Sequence, residues 1–173
     1  MESTRIHVDV ELGADGQPRA AEAEARLSRS AARVWAAIVD VDGYAGRVPM
    51  IHRVRREGER VTVSLRFKLA LFSVGFQFVA DLKVDPERSL ELRWVSGEPR
   101  GLLLRFELRP DGDESCVVRV RSELDVSSLG WLVKVFLRHH PEISFGIMPG
   151  VALNLIDSMR RAVGAQILGP PAG

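Results

Sequence analysis

Apolar and polar residues alternate along most of the chain between Ile6 and Val126. Ile6, Val8, Val10 and Leu12 alternate with His7, Asp9 and Glu11, the pattern of a half-buried strand. Beyond a turn at Gly13-Ala14-Asp15-Gly16, Ala21, Ala23, Ala25 and Leu27 alternate with Glu22, Glu24 and Arg26. This predicts a second strand, small-sided within and charged without, in a hairpin with the first. The pattern returns after Met50. Met50–Arg56 and Arg60–Ala70 flank the turn Glu57-Gly58-Glu59, with Val61, Val63, Leu65, Phe67 and Leu69 on one face. Leu71–Val74 reads as an apolar reversal, after which Phe76, Phe78, Ala80, Leu82 and Val84 resume the alternation. Leu90, Leu92 and Trp94, then Leu102–Arg109, then Cys116, Val118, Val120, Ser122 and Leu124 complete six meandering strands joined by short turns. Such links make neighbouring strands antiparallel. No strand–helix–strand rhythm is present, which argues against a dinucleotide-binding fold.

Three segments have helical spacing instead. After Ser28 and Ser30, either of which suits an N-cap, Ala31, Val34, Trp35 and Ile38 share one face, and a second turn carries Tyr44, Ala45 and Arg47 up to Pro49. Trp131, Leu132, Val135 and Phe136 give Gly130–His140 an apolar face, more than a connector requires, and therefore a core-packing helix, a lid or a membrane-contacting element. Val151, Leu155, Ile156, Met159, Val163 and Ile167 define an amphipathic helix over Val151–Leu168. Pro149-Gly150 is read as its start and Gly169-Pro170-Pro171 as its stop. The expected fold is α+β: a curved antiparallel sheet wrapped around one long C-terminal helix, with two short helices after the first core strand.

Composition narrows the function. The chain has 173 residues, 46% of them apolar and 27% charged, with a formal net charge of +1. That is one domain's worth of sequence, with no electrostatic footprint for nucleic acid. Cys116 is the single cysteine and falls in an apolar strand, so it reads as an inert core thiol. The N-terminus lacks a signal core, and Leu129–Phe136 is too short and too charged to span a bilayer, which makes the cytoplasm the expected location. No metal is expected, because His139 and His140 are adjacent while His7 and His52 lie far away. No cofactor is expected either, since neither GxGxxG nor GxxxxGK[ST] occurs, and the lack of GxSxG argues against a nucleophilic serine.

The stretch RLSRSAARVWAAIVDVDGYAGRVPMI carries a resemblance. Leu27, Ser30, Val34-Trp35, Asp40 with Tyr44, and Pro49 resemble the opening of the START-like (SRPBCC) superfamily. That superfamily contains polyketide cyclases and aromatases, lipid-transfer proteins and plant pathogenesis-related allergens. The similarity runs from about Ala20 to Gln166 and is greatest to small bacterial cyclase/dehydrase-like and coenzyme-Q-binding-like proteins. It implies a helix-grip domain over 20–168, preceded by an extension over 1–19 with an additional strand and followed by a flexible tail over 169–173.

The bulk of the inner face points to a binding site for a hydrophobic small molecule, lined by Phe67, Phe76, Phe78, Trp94, Leu104, Phe106, Val120, Leu155 and Met159. Its expected entrance is formed by Tyr44, Arg47, His52, Trp131, Phe136, Phe145 and Met148. Three functions stay open: a carrier of a lipid, isoprenoid quinone or polyketide; a cyclase or aromatase; and an interaction domain with a filled core. Tyr44, Arg47, His52, Arg66, Asp81 and Asn154 are the candidates for acid–base work. Two convergent polar groups at the cavity base would mark an enzyme, a smooth apolar wall a binder. A peripheral membrane contact through residues 129–148 is the other expected partner; oligomeric state is not legible.

Overall fold

A computed structural model of the chain describes residues 6–69 and 72–169. Eight strands form one antiparallel sheet in the order β1-β2-β8-β7-β6-β5-β4-β3. They are β1 (His7–Leu12), β2 (Pro18–Leu27), β3 (Ile51–Glu57), β4 (Arg60–Leu69), β5 (Phe72–Asp85), β6 (Ser89–Gly97), β7 (Leu103–Pro110) and β8 (Cys116–Glu123). Helices α1 (Ala31–Val39) and α2 (Tyr44–Arg47) separate β2 from β3; α3 (Trp131–His139) and α4 (Pro141–Val163) follow β8. A two-residue strand, β9 (Ile167–Leu168), pairs with β2 off the main path. This is the helix-grip arrangement that the alternation predicts.

The long helix differs from the sequence reading at both ends. It begins at Pro141 and runs through Pro149, and it ends at Gly164. Pro141 takes the first-turn position that suits proline. Pro149 sits mid-helix, where its missing N–H deprives the Phe145 carbonyl of a helical donor. Packing carries the helix across that point: Met148, Ala152, Leu155, Ile156 and Met159 are all buried. Gly164, at φ 61°, provides the left-handed cap, and the N–H groups of Gly164 and Ala165 close on the Arg161 and Arg160 carbonyls. Ile167 and Leu168 therefore belong to a strand, which Ser28 ties down: its hydroxyl accepts from the Gln166 N–H at 2.8 Å. Ser28 is thus not the cap of α1, and Ser30, at the cap position, makes no side-chain cap bond.

Two further expectations shift. The reversal expected over Leu71–Val74 is strand from Phe72 onward, with Leu69 paired to Phe72; residues 70 and 71 lie outside the described residues. Trp35 is only half-buried, and Val34, Ala37 and Ile38 bury the face of α1. Of the expected tail, residues 170–173 also lie outside the described residues.

The small side chains of β2 explain where α4 sits. Ala21, Ala23 and Ala25 point inward and are at most 2% exposed. With no bulk beyond Cβ they let a helix approach closely, and α4 packs chiefly on β2 and β8, with α1 beside it. Ala152, fully buried, supplies the matching small residue on the helix. Two hydroxyls tie this packing down. Ser122 of β8 donates to the Met148 carbonyl at 2.9 Å, and Ser158 of α4 donates to the Arg47 carbonyl at 3.0 Å. The outer face is charged and cross-linked: Arg119 meets Glu22 and Glu24, while Arg121 meets Glu11 and Glu123.

If close approach over β2 holds α4 in place, Ala23→Leu will overpack that contact. Denaturant unfolding is expected to show a loss of about 1–3 kcal/mol; an unchanged midpoint would mean that the helix rides higher on the sheet.

Candidate functional site: an apolar cavity beneath α3

Seating α4 on β2 and β8 leaves β4, β5 and β6 out of close contact with it, while α2 lies against β3 and α1 reaches β7. There the inward residues are large: Val63, Leu65 and Phe67 of β4, Phe76 and Phe78 of β5, Leu92 of β6 and Leu104 of β7. Phe67 and Phe76 meet edge-on, ring centroids 5.9 Å apart. Facing them is one row along α4, Ile143, Ile147, Val151 and Leu155, at the four-residue spacing that lines up side chains on a helix. Val133, Phe136 and Leu137 of α3 cover the gap between the two. The space so enclosed is a cavity of about 110 Å³.

Among the described residues the wall is apolar, and Tyr44 is the one lining residue with a polar atom on the side chain. That hydroxyl donates to the Ile38 carbonyl at 2.5 Å, satisfying an orphan acceptor in the last turn of α1. Burial pushes the Tyr44 phenol well above its ordinary range, with the Arg47 charge opposing and Asp40 reinforcing the shift. Tyr44 is thus a committed donor to the backbone and does not offer a proton to the cavity.

The other expected acid–base groups lie elsewhere. Arg47 folds back on α1: its Nη2 donates to the carbonyls of Ala37 (3.2 Å) and Asp40 (2.6 Å) and pairs with the Asp40 carboxylate at 3.1 Å. Its guanidinium also lies 5.5 Å from the Tyr44 ring centroid. Asp81 pairs with Arg60 at 3.4 Å on the outer face. Asn154 donates to the Gly150 carbonyl of its own helix at 2.8 Å. His52 and Arg66 line a separate groove of about 640 Å³ outside the cavity.

Of the lining residues expected from sequence, Phe67, Phe76, Phe78, Leu104 and Leu155 meet at the cavity. Four do not. Trp94 is half-buried at the end of β6, where its indole N–H donates to the Gly97 carbonyl at 3.1 Å. Phe106 packs against the Tyr44 ring, centroids 6.2 Å apart, and is fully buried. Val120 pairs with Ala23 in the filled part of the core, and Met159 is buried near the other end of α4.

Of the expected entrance residues, Tyr44 and Phe136 line the cavity. Trp131 and Phe145 point to solvent, 70% and 42% exposed. Met148 is fully buried, and its carbonyl accepts from the Ser122 hydroxyl of β8. Sequence reading missed Ile143, Ile147, Val151, Val133, Leu137 and Met50. The signal for the first three was present in their four-residue spacing, which runs straight through Pro149.

The fold is of the helix-grip class, an antiparallel sheet closed by a long C-terminal helix. No family model matches the chain, and no curated protein matches it by sequence. Solved structures do match. A START superfamily protein from Mycobacterium smegmatis aligns with a TM-score of 0.59 at 15% identity, over 84% of this chain and 97% of that one. The Zhui aromatase/cyclase from Streptomyces sp. R1128 gives 0.53 at 15% identity, over 83% and 95%. Norcoclaurine synthase from Thalictrum flavum, solved with dopamine and hydroxybenzaldehyde, gives 0.56 at 14% identity, over 91% and 87%. At these identities the likeness is one of fold.

The lone thiol takes no part in the site. Cys116 is fully buried opposite Leu27, and burial, reinforced by the Asp111 charge, pushes it up to about 11. It stays protonated until pH approaches that value, and it favours the folded state less as pH rises past the ordinary thiol range. Native protein at neutral pH is expected to resist a thiol-specific chromogenic reagent and to react stoichiometrically once unfolded. Prompt labelling of the native form would contradict the burial.

Proposed function

We propose that this protein binds a hydrophobic small molecule in the cavity beneath α3 and performs no acid–base chemistry on it. One observation carries the reading: among the described residues the wall has no polar group free to move a proton, its single hydroxyl being committed to the Ile38 carbonyl. Cyclisation or dehydration needs at least one such group beside the reacting atoms. Norcoclaurine synthase, solved with dopamine and hydroxybenzaldehyde, supports the idea that this fold can house small aromatic molecules. Lipids, isoprenoid quinones and polyketides remain the candidate ligands.

The cavity is small beside the roughly 300–1,000 Å³ of most ligand sites. A ligand of that size enters only if the wall gives way. The element placed to yield is α3, a nine-residue helix whose principal packing partner is α4. We read α3 as a lid. Trp131 and Val135 on its outer side are exposed, and Lys134, Arg138 and His139 accompany them, with His140 next in the chain. An exposed apolar strip with basic neighbours suits an anionic membrane surface, from which a lipid-soluble ligand would be drawn. Among the described residues no helix is long and apolar enough to cross a membrane.

A neutral fluorophore such as N-phenylnaphthylamine tests the cavity. Wild type is expected to bind it with enhanced emission, and Leu104→Trp, which fills the space, to weaken binding by at least about tenfold, or about 1.4 kcal/mol. Unaltered binding in a folded Leu104→Trp variant would remove the cavity as the site. The membrane contact is read by sedimentation with vesicles containing phosphatidylglycerol. Wild type is expected to pellet and Trp131→Ser to pellet less; equal recovery of both in the supernatant refutes the contact.

A further inference from the structure

The groove that holds His52 and Arg66 abuts the cavity. Met50, Ile51, Phe67, Ile147 and Val151 line both spaces, and all but Ile51 are half-buried. The partition between groove and cavity therefore consists of apolar side chains with room to move. The remaining groove residues include Arg66, Lys68, His52 and Asn154, and no carboxylate. Two other surface grooves mix the signs: one has Arg19, Lys134 and Arg138 with Asp15, Glu123 and Asp125, the other Arg100 and Lys134 with Glu98 and Asp125.

The absence of acid beside Arg66 and Lys68 contrasts with many of the strand arginines, though Arg19, Arg53, Arg56, Lys83 and Arg109 likewise form no ion pair among the described residues. Arg26, Arg60, Arg93, Arg105, Arg119 and Arg121 each have a carboxylate within 3.4 Å. Arg66 and Lys68 are paired across β5 with Gly75 and Ser73, neither of which carries charge. On their other side β3 ends at Ile51, opposite Leu65, and the Arg66 N–H is met by the Met50 carbonyl of the incoming loop. Both cations are exposed, two residues apart on the same side of the strand, and without an ion pair among the described residues.

We propose that this groove is the mouth of the cavity and the seat of an anionic headgroup. The ligand would be an amphiphile whose apolar part enters beneath α3 while a terminal carboxylate or phosphate stays at Arg66 and Lys68. This rests on the cavity reading above and adds the polar end of the ligand. The division of labour is physical: the cavity wall offers an anion nothing, while the mouth offers two cations and still leaves the charge hydrated.

The test is displacement of N-phenylnaphthylamine from the wild-type protein by matched ligands: octanoate and dodecanoate against octanol and dodecanol, with dodecyl phosphate as a second anion. The acids or the phosphate are expected to bind about tenfold more tightly than the alcohols at low salt, an advantage that shrinks as ionic strength rises. In Arg66→Gln/Lys68→Gln the anions are expected to lose that advantage and bind like the alcohols. Both side chains are exposed, so folding is not at stake, and Arg66→Lys, which keeps the charge, is expected to keep most of the preference. Equal binding of anions and alcohols by wild type overturns the headgroup seat and leaves the cavity reading standing. An anion preference that survives the double substitution also overturns it. Displacement by neither class, where the fluorophore itself fails to bind, overturns the cavity reading and this inference with it.

Discussion

Close contact between α4 and the alanines of β2 is the constraint from which the interior follows. A helix can lie flush against only part of a strongly curved sheet. Here the small residues Ala21, Ala23 and Ala25, with Ala152 opposite, decide which part. That half of the core is filled: Phe106, Val120, Ile156 and Met159 are fully buried. The other half carries the phenylalanines and leucines of β4–β7 and meets α4 only across a gap. Bulges between β3 and β4 and between β5 and β6 increase the bend on that side. The void is thus a product of where small and large residues fall along the sheet.

Much of this was legible in the chain. Period-two alternation placed β1 to β8 and their inner faces, apart from the first residues of β5, because a one-residue slip would turn every apolar side chain outward. The position of a residue along the strand was not legible, and that decides whether an inward side chain meets the helix or the hollow. Phe78 and Phe106 read alike in sequence, yet one lines the cavity and the other packs beneath Tyr44. The start of α4 was misplaced for a different reason. Proline usually ends a helical pattern, and at Pro149 tertiary burial overrides that preference. With the helix started too late, Ile143 and Ile147 were lost from the wall, and Phe145 and Met148 were given an entrance role that their helical phase does not allow.

Charge divides the surface in a comparable way. Cross-strand pairs around Arg119 and Arg121 knit β1, β2 and β8 into a face with little left to offer a partner. At the far end, β4 outruns β3, and the opposing positions on β5 are Gly75 and Ser73. Arg66 and Lys68 are therefore left without a cross-strand acid there, next to the apolar partition of the cavity. Helix α3 repeats the theme in apolar terms, with Val133, Phe136 and Leu137 turned inward and Trp131 turned out.

A lining with no hydrogen-bonding group to spare has a consequence for selectivity. Such a wall cannot reject a molecule for lacking a hydroxyl or an amine; it distinguishes guests by bulk and outline alone. Each added methylene that still fits contributes about 0.8 kcal/mol, and one that does not fit is refused by a similarly modest margin. Under the proposed binding function, recognition inside this sheet would therefore be graded, admitting a homologous series of compounds without singling out one member.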